Sequence, residues 1–108
     1  MLDDFTRQYT DTALWADLPE GIAVADVELS PEFTLRAAED CAAFMAQAGP
    51  MIEGRETDAA HDFWLTRQGH GAGFWDGDWP EHGDALTELS NQFGEVWLYV
   101  GDDGLIYV

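Results

Sequence analysis

Apolar residues recur at helical spacing in three stretches of the chain. Phe5, Tyr9, Ala13 and Ala16 share one face of residues 2–17, and Arg7 stands four residues from both Asp3 and Asp11. That pattern predicts a first helix with its own ion pairs, ended by Leu18-Pro19-Glu20-Gly21. Residues 22–29 are a short apolar run that reads equally as extended chain or as irregular cover. Ser30-Pro31 then opens a second helix, with Ser30 as N-cap and Pro31 in the first helical position, where a missing N–H costs little. Phe33, Ala37, Cys41, Phe44, Met45 and Ala48 form its apolar face, Arg36 lies between Glu32 and Asp40, and Gly49-Pro50 stops it.

The pattern changes after Pro50. Residues 58–62 predict a helical turn, and Phe63-Trp64-Leu65-Thr66-Arg67 has the aromatic and branched composition of a strand. A glycine-rich loop covers residues 68–77, in which Phe74 and Trp75 are expected to fold inward. Asp78 reads as the next N-cap, with Pro80 in the first turn and Glu81 completing a capping box. The helix predicted over residues 79–93 carries Leu86, Leu89 and Phe93 on one stripe and Glu81, Asp84 and Glu88 on the opposite one, with Gly94 at its C-terminal cap. A hairpin closes the chain: residues 96–100, the turn Gly101-Asp102-Asp103-Gly104, then residues 105–108. Val96, Leu98 and Val100 fall on one face of it, Trp97 and Tyr99 on the other. The second face needs cover from Phe74, Trp75 and Trp79, or else is an interaction patch. The elements predict an α+β fold, three or four helices packed on a small three-stranded antiparallel sheet that ends in the hairpin, as one domain over residues 1–108.

Charge alters the picture more than any motif. The chain has 22 Asp and Glu against four Arg and no Lys, a net of −18 in 108 residues. A domain of this length is roughly 34 Å across, and duplex DNA of that length carries on the order of 20 phosphate charges. Such a surface repels nucleic acid and anionic membranes and steers the protein to basic grooves. An apolar fraction of 46 %, with five Trp, six Phe and three Tyr, argues against a disordered acidic tail. A surface built only for solubility, or for high salt, has the same composition. No stretch is apolar over the roughly 20 residues of a membrane span, the first residues lack a signal peptide's basic region, and the single Cys41 reads as a small buried hydrophobe in a reducing compartment.

Candidate chemistry is sparse. Gly69-His70-Gly71-Ala72-Gly73 suggests a phosphate cradle, but Arg67 is the only nearby cation and Asp76 and Asp78 would repel the ligand. His61, His70 and His82 with Asp62, Asp76 and Asp78 match no tight zinc spacing. Asp76-Gly77-Asp78 with Glu81 and Asp84 lacks the ligand series of a calcium loop. Cys41 has no neighbouring base, and no serine sits in an elbow motif. No enzyme activity, cofactor or metal is therefore expected.

Three segments resemble a family of small phage- and prophage-encoded proteins: Thr12-Ala13-Leu14-Trp15; His61-Asp62-Phe63-Trp64-Leu65-Thr66-Arg67-Gln68-Gly69-His70-Gly71-Ala72-Gly73-Phe74-Trp75-Asp76; and Leu98-Tyr99-Val100-Gly101-Asp102-Asp103-Gly104-Leu105-Ile106-Tyr107. The family often has Asn where this chain has Gln68, and residues 17–56 carry no resemblance. The resemblance implies a phage origin, and small acidic phage proteins include many anti-restriction and anti-CRISPR inhibitors. The chain thus looks like an anti-CRISPR acting as an acidic DNA mimic in the cytoplasm of an infected bacterium. Its expected partner is a Lys/Arg-rich DNA-binding subunit of a defence complex, foremost a CRISPR surveillance complex, with no direct nucleic-acid or membrane binding. The expected contact residues are Glu81, Asp84 and Glu88, extended by Asp76 and Asp78 and continued by Glu32 and Glu39 from the second helix. The other readings are a metal- or small-molecule-binding phage accessory protein and an acidic domain whose partner contacts are apolar.

Overall fold

Asp3 starts the first helix by accepting a hydrogen bond from the Thr6 N–H at 2.7 Å, the side-chain cap that a helix's unpaired first N–H groups call for. In the computed structural model, which describes residues 3–19, 21–23 and 27–108, α1 runs Asp4–Asp17. Arg7 pairs with Asp4 at 3.6 Å, one position from the expected Asp3. Leu2 and part of the ambiguous 22–29 run lie outside the described residues; the remainder of that run supplies β1, Glu28–Leu29. In α2, Pro31–Ala48, the Ser30 hydroxyl accepts from the Phe33 N–H at 3.0 Å, as its sequence demands. Gly49, with φ +51°, turns the chain out of α2 into the short 3₁₀ helix Gly49–Ile52.

The expected turn and strand over residues 58–67 are instead one helix, α3, Glu56–Arg67. Ala59, Ala60, Phe63, Trp64, Leu65 and Arg67 are all buried, so beyond its exposed first turn the helix is covered on nearly every side and shows no amphipathic period to read. The fourth helix also differs from expectation. α4 is Gly83–Asn91, with His82 before it and no side-chain cap, so the expected 79–93 helix forms only over its middle and the Asp78–Glu81 capping box does not form. Tertiary packing overrides local signal here. The Trp79 side chain is buried, and its Nε1–H donates to Asp62 Oδ2 at 2.7 Å, anchoring residue 79 to α3. Gly83 lies so close to Phe74 that an added Cβ would sit 2.6 Å from its carbonyl oxygen.

β2, Tyr99–Val100, and β3, Leu105–Tyr107, form the C-terminal hairpin. The sheet order is β1-β3-β2, and β1 runs parallel to β3, pairing Leu29 with Ile106. The sheet is therefore mixed rather than purely antiparallel, because α2 carries the chain away before β1 could turn back on a neighbour. No helix among the described residues is long and apolar enough to cross a membrane. Phe74 and Trp79 fold into the helical core rather than over the hairpin, and Trp75 is 53 % exposed instead of inward. The outer face of the hairpin is consequently bare, with Trp97 76 % and Tyr99 52 % exposed.

The core is built on Phe44. Its ring stacks on Phe63 at 4.2 Å, with Phe5 at 5.9 Å and Phe74 at 5.8 Å. Beside this cluster lies the buried Arg67. Its Nη1 donates to Tyr9 Oη and Asp40 Oδ2, both at 2.9 Å, Nη2 to the Phe93 carbonyl at 3.0 Å and Nε to the Gly94 carbonyl at 2.8 Å. One guanidinium thus joins α3 to α1, to α2 and to the turn that follows α4. Removing a buried charge partner costs about 3–5 kcal/mol. Arg67→Met is expected to lower the unfolding free energy by about that amount in urea denaturation, and Arg67→Lys to recover less than half, because an ammonium cannot span this set of acceptors. A loss below about 1 kcal/mol would contradict the assignment.

Candidate functional site

The acidic residues picked out from the sequence are exposed, and the structure divides them into two groups. Asp84 and Glu88 stand one turn apart on α4, while Glu81 precedes that helix on a turn and Asp76 and Asp78 sit on the loop before it. Glu81 and Asp84 flank one shallow hollow beside the exposed Trp75. Glu32 and Glu39 lie seven residues apart on α2, together with the exposed Leu35. Arg36 interrupts that face, held by Asp40 at 3.1 Å. Glu32 lies near enough to the hairpin to act electrostatically on Tyr107. A cation lies in each group: Arg36 in the α2 patch, and Arg55 against Asp78 and Trp79 in the row over residues 76–88.

That row is held from behind. Asp76 accepts from the Gly73 N–H at 3.3 Å and from the Asp78 N–H at 3.4 Å, which folds the loop on itself. Arg55 donates to the Asp78 carbonyl at 2.8 Å, contacts the Asp58 carboxylate at 3.4 Å, and lays its guanidinium 3.9 Å over the Trp79 ring. Charge-assisted bonds and a cation over an aromatic face are the stronger members of their classes. Nothing local in the sequence marks Arg55 and Trp79 as partners, 24 residues apart.

Behind the row opens a polar cleft of about 470 Å³ whose lining includes Gln8, Arg55, Asp58, His61, Asp62 and Asp78. Burial pushes the Asp62 carboxyl above the usual carboxylate range, against the Trp79 hydrogen bond that favours ionisation; the nearby negative charges of Asp76 and Asp78 push it further up. Desolvation outweighs the hydrogen bond here. The three histidines are separate. His61 Nδ1 meets the Thr12 hydroxyl at 2.9 Å, His70 Nε2 meets Asp17 at 2.8 Å, and His82 lies 3.8 Å from Glu81. Among the described residues, no group of three or more His, Cys, Asp and Glu side chains is placed to hold a metal ion.

The glycine loop is structural in its hydrogen bonding. The Gly69 and His70 N–H groups donate to the Thr66 and Leu65 carbonyls, and the Phe74 N–H donates to Thr66 Oγ1. A Cβ at Gly73 would collide with that same hydroxyl, and its φ is +153°. Cys41 is buried, and burial pushes its thiol up to about 12, so it stays protonated at neutral pH.

No family model, curated protein or solved structure matches the chain. The Asp62 assignment has a direct consequence for stability. A carboxyl whose pKa is raised on folding favours the fold while protonated, and stability falls as pH rises from its unfolded value through its folded one. Asp62→Asn keeps an acceptor for Trp79 and removes that loss. At pH 7 it is expected to melt above the parent by more than Glu88→Gln, an exposed substitution with the same charge change, and the gap should narrow toward pH 4. A lower melting temperature for Asp62→Asn at pH 7 would contradict the assignment.

Proposed function

We propose that the protein is a non-catalytic inhibitor that presents carboxylates where a nucleic-acid-binding protein expects phosphates. Its target would be the Lys/Arg-lined DNA groove of a bacterial defence complex, foremost a CRISPR surveillance complex, reached in the cytoplasm of an infected cell. One observation carries the reading. Residues 76–88 place Asp76, Asp78, Glu81, Asp84 and Glu88 at the surface on a braced scaffold, while each of the four Arg is engaged with a carboxylate of the chain itself.

Shape and charge density agree with this role. The chain measures 43 × 28 × 22 Å, and duplex DNA 43 Å long carries about 25 phosphate charges. A net charge of −18 is of the same order. Rigidity matters as well, since a braced row loses little conformational freedom when it docks. An amphipathic helix ordinarily turns such a stripe to water with no further role; the bracing of the preceding loop by Arg55 favours the docking role here.

The test is interference itself. In a bacterium with an active CRISPR system, expression of the chain is expected to restore plating of a targeted phage. Glu81→Lys, Asp84→Lys and Glu88→Lys together should abolish that effect with the fold retained, since exposed substitutions usually shift stability by under about 0.5 kcal/mol each. A folded triple variant as active as the parent would remove the row from the interface. For the purified complex, raising salt from about 50 to about 200 mM is expected to weaken binding by about tenfold or more. Affinity constant over that range would point to an apolar interface.

A further inference from the structure

The bare face of the hairpin has a defined chemistry of its own. Tyr99 and Tyr107 pair directly across β2 and β3, and their rings stack at 5.6 Å and 17°. The Tyr107 ring lies over Gly101, where a Cβ would collide with it, so the absence of a side chain there leaves room for the ring. The Tyr107 hydroxyl donates to Asp103 Oδ2 at 2.6 Å, and Asp103 Oδ1 accepts from the Leu105 N–H at 3.0 Å. These bonds hold the Asp103 carboxyl below the usual carboxylate range, so it is ionised throughout the physiological range. Tyr99, Val100, Asp102, Asp103 and Tyr107 line an open groove of about 590 Å³. Glu28 of the neighbouring strand, directly opposite Leu105, lies outside the groove's lining.

Aromatic faces beside ionised carboxylates suit a cation, and the chain itself contains the completed arrangement. Arg55 lies 3.9 Å over the Trp79 ring while contacting the Asp58 carboxylate at 3.4 Å. The hairpin has the ring and the carboxylates, and all four Arg of the chain are engaged elsewhere. We infer that the groove over Tyr99 and Tyr107 receives an arginine side chain of a basic protein partner, its guanidinium on the Tyr99 ring and its N–H groups toward Asp102 and Asp103. A planar guanidinium suits this site better than an ammonium, because it stacks on the ring and bonds carboxylates in the same pose. The inference rests on the basic-partner reading above and gives that partner a second contact, apart from the 76–88 row.

Nona-arginine and nona-lysine peptides titrated into the full chain at about 50 mM salt, with the Tyr99 and Tyr107 ring protons followed by NMR, test it. Nona-arginine is expected to shift those protons and to bind about threefold or more tighter than nona-lysine. Tyr99→Leu should remove the preference, and Tyr99→Phe, which keeps the π face, should retain it. If Tyr99→Leu disturbs the hairpin, the ring shifts in the parent chain decide. A preference that survives in a folded Tyr99→Leu, or shifts confined to α4, overturns the hairpin site and leaves the reading of the acidic row standing. Failure of both peptides to bind overturns the two together.

Discussion

One buried guanidinium sets the arrangement of the helices. Arg67 bridges Tyr9 of α1, Asp40 of α2 and the Phe93 and Gly94 carbonyls beyond α4. Those carbonyls lie at the negative end of a helix dipole, where a fixed cation is favourable. Arginine suits the position because it stays charged when buried and offers its donors in a rigid plane. The next residue extends the same joint. Gln68 donates to the Val96 carbonyl at 2.7 Å and accepts from the Val96 N–H at 2.8 Å, much as a paired strand would. The segment leading into the hairpin is therefore positioned from the C-terminal end of α3, whereas the acidic row is braced from the other end of that helix by Arg55 and from its middle by Asp62.

The exposed ion pairs contribute little to the fold. The ion pairs Arg7–Asp4, Arg36–Asp40 and Arg55–Asp58 involve exposed or half-exposed arginines, and such pairs contribute about 0–1 kcal/mol each. The remaining carboxylates repel one another, a cost that salt screens. Stability comes instead from the aromatic cluster around Phe44 and from the Arg67 joint. Function, on the reading proposed, comes from the repulsive part of the molecule. A rigid core is what allows that much like charge to stay in one shape.

What was legible in the sequence follows from where the controlling contacts lie. α1 and α2 read correctly because Ser30, Pro31 and the apolar spacing act within a few residues. The pattern over α3 reads as turn and strand because Phe63, Trp64, Leu65, Thr66 and Arg67 are all buried, which erases the helical period. α4 starts later than its local pattern suggests because Trp79 bonds to Asp62, 17 residues away, rather than entering the helix. The parallel pairing of β1 depends on two residues meeting β3 from far along the chain, beyond any local pattern. Exposure of Asp84 and Glu88 was legible as a helical stripe. The bracing of their neighbours by Arg55 and the desolvated Asp62 behind them were not, since both are tertiary contacts.

The central claim is that the protein occupies a site that nucleic acid would otherwise fill. The most direct measurement immobilises the chain, captures proteins from a bacterium with an active CRISPR surveillance complex, and elutes with short duplex DNA at a fixed ionic strength of about 100 mM. The account predicts that the duplex releases a DNA-binding complex and that chain and duplex never occupy it together. A captured complex that stays bound and takes up duplex as well would contradict it.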